Sequence, residues 1–132
     1  MINFFTKIFK SSPFSPPEEI INALKEKFPD VINIEWNKSG DSYEAIFYKD
    51  SIEYIANFDK DGELKVYKMF LPEGFLPGNI LDTVRKKGEL MNAVMINKGN
   101  SITYEIIFRD TELIRSVMLL NEKGVILEER LL

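Results

Sequence analysis

The chain repeats itself. Pro17, followed by Ile20, Ile21 and Leu24, is matched at an offset of 60 by Pro77, followed by Ile80, Leu81 and Val84. Asn37-Lys38 recurs as Asn97-Lys98 at the same offset, and Tyr43-Glu44-Ala45-Ile46-Phe47 returns as Tyr104-Glu105-Ile106-Ile107-Phe108 at 61. Asp59-Lys60-Asp61-Gly62 returns as Asn121-Glu122-Lys123-Gly124 at 62. The offset grows only at turns, where a duplicated unit tolerates insertions. One extra residue inside a strand would send its buried side chains to the other face.

Each copy reads as one helix and four strands. In SPPEEIINALKEKF, Ser15 and Glu18 form a capping-box pattern with Pro16 at the first helical position. Ile21, Leu24 and Phe28 then line one face with Ile20, and Pro29 marks the helix end. VINIEWN, YEAIFYK, IEYIANF and ELKVYKMF follow as strands, joined by NKSGD, DS and DKDG. Loops this short cannot carry a parallel crossover, so the strands pair antiparallel as a meander. LPEGFL then breaks the pattern. One unit offers little core for its size; two side by side give an α+β fold. The expected architecture is tandem duplicated α-β-β-β-β units forming one eight-stranded antiparallel sheet, with helices over 20–28 and 80–85 on one face. The expected organisation is an N-terminal segment, 1–14, and a single domain, 15–132, made of repeats 15–71 and 76–132.

Composition narrows the function classes. A 132-residue chain with 45% hydrophobic and 29% charged residues belongs to packed globular proteins. A net charge of -4, with Lys and Arg scattered among the acids, provides no basic stripe for nucleic acid. Zero Cys excludes disulfides, thiolate metal sites and a cysteine nucleophile, and fits a reducing compartment. In MINFFTKIFKSSPFSPP, Lys7 and Lys10 interrupt the apolar run that a signal peptide needs. The cytoplasm is therefore favoured, with the compartment otherwise unknown. No stretch reaches the length of a transmembrane helix. Residues 2–9 could form a short amphipathic helix docked on the domain, with membrane-surface contact as a weaker alternative.

Alternation assigns faces. Ile32, Ile34 and Trp36, then Tyr43, Ala45 and Phe47, then Ile52, Tyr54, Ala56 and Phe58, then Leu64, Val66 and Phe70, are expected under the helices. The opposite face is expected to carry Glu44, Glu53 and Asn57 beside Ile46, Tyr48, Ile55, Tyr67 and Met69. In the second unit it carries Glu105, Ile107, Arg109, Leu113, Arg115 and Val117, and the register of VILEERLL stays open. Mixed aromatic, aliphatic and charged residues suit a protein-binding patch better than a purely solvated face. Ile46, Tyr48, Ile55, Tyr67, Met69, Ile107, Arg109 and Arg115 are the candidate partner-binding residues.

The helix, FPDVINIEW, YEAIFYKDSIEYIANFDKDGEL and the second copy together resemble the PepSY-like family of small bacterial proteins, a group described as β-lactamase-inhibitor-like. Residues 16 to 71 carry the resemblance well. The second copy is looser, with Gly88 and Glu89 in place of Phe28 and Pro29, and Ile96 in place of Trp36. The resemblance implies a tandem α-β4 architecture, with a sheet surface that engages another protein in inhibitor relatives. Many family members are exported.

Other chemistry is weaker. Asp59-Lys60-Asp61-Gly62-Glu63 resembles the front of a calcium loop, but Phe70 stands where the twelfth-position glutamate belongs. Arg85-Lys86-Lys87 ends the second helix, where cations complement the dipole. Carboxylates such as Glu44, Glu53 and Glu105 could share a face, yet without histidine or thiol the catalytic repertoire is thin. The sequence thus points to a non-enzymatic module, without cofactor or metal, that binds an unknown protein partner or forms a homodimer. The alternative is a small-molecule-binding or enzymatic NTF2-like cone fold with a closed pocket.

Overall fold

A computed structural model describes residues 14–132. The expected helix over 2–9 lies outside the described residues. Helix α1 (Glu18–Lys27) leads into strands β1 (Ile32–Ser39), β2 (Ser42–Lys49), β3 (Ile52–Phe58) and β4 (Leu64–Phe70). A short 3-10 turn (Glu73–Phe75) and helix α2 (Gly78–Lys87) then lead into β5 (Glu89–Asn97), β6 (Ile102–Arg109), β7 (Arg115–Asn121) and β8 (Ile126–Leu131). All eight strands form one antiparallel sheet in sequence order, with β4 paired to β5 across the join between the halves. Both helices pack on the same face of the sheet, over one cluster of buried side chains each.

The repeat is preserved in geometry. Pro17 and Pro77 stand at the N-caps in extended conformation, and each carbonyl accepts from the N–H groups three and four residues on. Ile20 and Leu24 in α1, and Ile80 and Val84 in α2, are fully buried. The expected capping box does not form: no side chain caps α1, because Pro17 already takes the cap position and leaves Ser15 two residues outside.

The β3–β4 and β7–β8 turns are also equivalent. Asp59 Oδ1 accepts from the N–H groups of Asp61 and Glu63, both at 2.9 Å, and Asn121 Oδ1 accepts from Lys123 and Val125 at 2.9 and 3.0 Å. Gly62 and Gly124 supply φ of 84° and 83°, a conformation that glycine adopts without steric cost. The Glu63 and Asp61 amides, with Lys65 beside them, hold the Asp59 carboxyl below its ordinary pKa. This carboxylate serves a turn.

Behind each of these turns the strand carries one extra residue. Phe58 lies opposite Leu64 but Asn57 opposite Val66, so Lys65 bulges; Leu120 lies opposite Ile126 but Leu119 opposite Glu128, so Leu127 bulges at the same repeat position. This fixes the register of the last strand and corrects β4. Tyr67 pairs with Ala56 and Met69 with Tyr54, which puts both on the helix face, whereas Val66 and Phe70 turn to the other side. Tyr67 packs edge-on against Phe28 at 5.3 Å and accepts a hydrogen bond from Asn97 Nδ2 at 3.1 Å. It is the partly buried residue that touches both core clusters.

A second irregularity corrects β1. Asn33 takes φ of 56° and the register shifts between Ile32 and Glu35. Ile32 pairs with Tyr48 on the uncovered face and is 60% exposed, and Ile34 is also exposed, so neither belongs to the core. Val31 and Trp36 pack against the first cluster. Leu113 is displaced as well: it sits in the β6–β7 turn, where Asp110 Oδ1 accepts from Glu112 and Ile114 and Leu113 occupies the glycine-like position at φ 66°.

Tyr67→Glu should cost about 2–4 kcal/mol in chemical denaturation, because it buries a charge against two clusters, whereas Lys68→Glu on the other face should stay within roughly 1 kcal/mol. Leu113→Gly should raise the unfolding free energy by about 0.5–1 kcal/mol, since relief of the left-handed conformation outweighs the added chain entropy.

Candidate interaction surface

No described helix covers the second face of the sheet, and the register gives its pattern row by row. Asn37 and Glu44 lie opposite each other at one corner. In the next row Glu35, Ile46, Ile55, Lys68 and Ile96 follow one another across β1 to β5. Phe70, Val94, Glu105, Leu119 and Glu128 form the row beside it across β4 to β8, and Ile107, Val117 and Arg130 the next. Glu89, Arg109 and Arg115 close the opposite corner. The apolar side chains therefore step diagonally from Ile46 on β2 to Val117 on β7. Cross-strand neighbours half-bury most of them, and Val117 is 7% exposed.

Of the residues expected at such a surface, Ile46, Tyr48, Ile55, Ile107, Arg109 and Arg115 lie on this face. Tyr67 and Met69 do not, because of the Lys65 bulge. Phe70, Val94, Ile96 and Leu119 take their place in the band and were missed. Strand β5 itself held the signal: Val94 and Ile96 alternate with Ala93 and Met95, both buried.

The charges separate to opposite ends. Glu35, Glu44 and Glu53 gather on β1 to β3. Tyr48 donates to Glu53 Oε2 at 3.0 Å, and that bond, with the nearby carboxylate charge, raises the tyrosine's pKa. Arg109, Arg115 and Arg130 gather on β6 to β8. Arg109 and Arg115 are direct cross-strand neighbours, an arrangement that repels. Glu89 relieves it by an ion pair to Arg109 at 2.8 Å. Arg115 makes no ion pair with another described residue.

On the helix side, an open groove of about 320 Å³ lies near the join between the halves, lined by Lys27, Glu63, Lys65, Tyr67 and Asn97 among others. Its carboxylate, Glu63, is exposed and paired with Lys65 at 3.3 Å. Among the described residues no group of three or more acids could hold a metal ion, and no helix is long and apolar enough to cross a membrane.

No family model matches the chain, and no curated protein matches it. Solved structures do. A BLIP-like protein from Bacteroides fragilis superposes with a TM-score of 0.78 at 20% identity, covering 92% of this chain and 90% of its own. A DUF2874 family protein from Bacteroides ovatus gives 0.77 at 15% identity, covering 89% of each chain. A Bacteroides eggerthii protein, described as a candidate periplasmic one, gives 0.78 at 17% identity over 89% and 90%. The fold is BLIP-like. At these identities the likeness concerns architecture alone, and the PepSY-like family expected from the sequence is not shown by it.

Removing the acid that pairs with Arg109 gives a test of the surface's electrostatics. Glu89→Gln should destabilise the protein by roughly 0.5–1 kcal/mol at low ionic strength, and the loss should shrink in about 1 M salt. Thermal melts across a salt series measure both.

Proposed function

We propose that this chain is a non-enzymatic protein-interaction module that presents its uncovered sheet face to another protein surface. One observation carries the reading: the diagonal band through Ile46, Ile55, Ile96, Val94, Ile107 and Val117 is continuous, is covered by no helix among the described residues, and ends in charges at both corners. An apolar centre with a polar rim is the anatomy of protein recognition sites. The BLIP-like architecture shared with the Bacteroides fragilis protein agrees with such a role. The first half supplies Tyr48, Ile46 and Ile55; the second supplies Ile107, Arg109 and Arg115. Phe70 and Val94 join them in place of Tyr67 and Met69. The helix-side groove offers no buried acid or base, which weighs against the cone-fold alternative.

Compartment belongs to the same reading. The cytoplasmic preference gains no support from the comparisons, since the Bacteroides eggerthii neighbour is described as a candidate periplasmic protein; export is the location proposed here.

Ile55→Glu combined with Val94→Glu should leave the fold intact, with a stability loss below about 2 kcal/mol, and should abolish association through this face. Chemical denaturation checks the first part. A loss of the size seen for deleted core side chains would show that the face is structural and remove the proposal.

A further inference from the structure

The two ends of the band are complementary to each other, and this bears on the partner. Resting on the reading of this face as a recognition surface, we infer that its occupant is a second copy of the chain, packed face to face about a two-fold axis. In such a pair the same patch meets itself, so residue i of one copy contacts j of the other and j contacts i. Two axis directions differ in the charges they bring together. An axis perpendicular to the strands would set β1 against β1 and oppose like charges. An axis in the interface plane, running across the acid-to-arginine diagonal, exchanges the corners.

With that second axis, the corner of Glu35 and Glu44 in one copy faces the corner of Arg109 and Arg115 in the other, and the reverse contact forms by symmetry. The middle of the face obeys the same operation. Lys68, in the row of Ile55 and Ile96, comes over the region of Glu105, in the row of Val94 and Leu119. The apolar band lies along the diagonal that the axis bisects, so it folds onto itself. Strands of the two sheets then cross near a right angle, one of the two orientations in which sheets pack well. Glu89 and Glu128 on this face, and Asp110 and Glu112 in the adjoining β6–β7 turn, also lie at the arginine end; the contact is carried by Arg115, exposed and without an ion pair to another described residue, beside Arg109.

The test uses two charge-reversed forms of the full chain. One carries Glu35→Lys with Glu44→Lys; the other carries Arg115→Glu with Arg130→Glu. Wild type should be a dimer by light scattering and sedimentation at micromolar concentration. Each variant alone should dissociate at least tenfold more readily, because both symmetric contacts become repulsive. An equimolar mixture should recover the dimer as a mixed species, since each reversed corner then meets an opposite charge. Thermal melts confirm that both variants are folded. A monomeric wild type, variants that dimerise as well as wild type, or a mixture that stays monomeric each overturns the second copy as occupant. Wild type that is monomeric while the Ile55→Glu, Val94→Glu form remains stable overturns the dimer alone; collapse of that form overturns the recognition face itself.

Discussion

One extra residue, Lys65, sets the direction of most of β4. Without it, Tyr67 and Met69 would point away from the helices and Phe70 toward them; with it, Tyr67 lies between Phe28 and the second cluster. The bulge lies in the strand, past the first ladder pair of Phe58 with Leu64, and not in the turn itself. The β6–β7 turn makes the same side-chain bonds from Asp110, with Leu113 in the left-handed conformation, yet its strands run on without a bulge. The two halves meet where that strand pairs with β5. One inserted residue in a strand therefore decides how two small cores become one.

The duplication explains why this arrangement is stable in so short a chain. Each half buries one helix stripe, Ile20 with Leu24 or Ile80 with Val84, against the inward residues of four strands. Alone, either half would leave Tyr67 or Met95 at an open edge. The second copy of the bulge, at Leu127, meets no further strand among the described residues. Its consequence is different: Glu129 comes to the helix side, where it pairs with Lys87 at 3.0 Å and ties α2 to the last strand.

The sequence made the repeat, the helices and the sheet legible because their signals are periodic or punctuated. Pro17 and Pro77 mark helix starts, and the two-residue turn after Lys49 forces Lys49 opposite Ile52, which fixes the parity of β2 and β3. Tyr67, Met69, Val66, Phe70, Ile32 and Ile34 were misassigned for a common reason. A bulge adds one residue without changing composition, and strict alternation counted across it inverts every face beyond it. The repeat held a partial remedy, since the Asp59 and Asn121 turns share their hydrogen bonds. The same inversion hides Phe70 from the candidate surface.

The outer strands carry a further consequence. At one end β1 is broken by Asn33 in a left-handed conformation, and at the other β8 presents Glu128, Glu129 and Arg130 around its own irregularity. Kinks and charges of this kind discourage a neighbouring backbone from continuing the ladder. The sheet is thereby finite: fibre growth by end-to-end stitching is disfavoured, and contact with other molecules is diverted from its margins to its broad side.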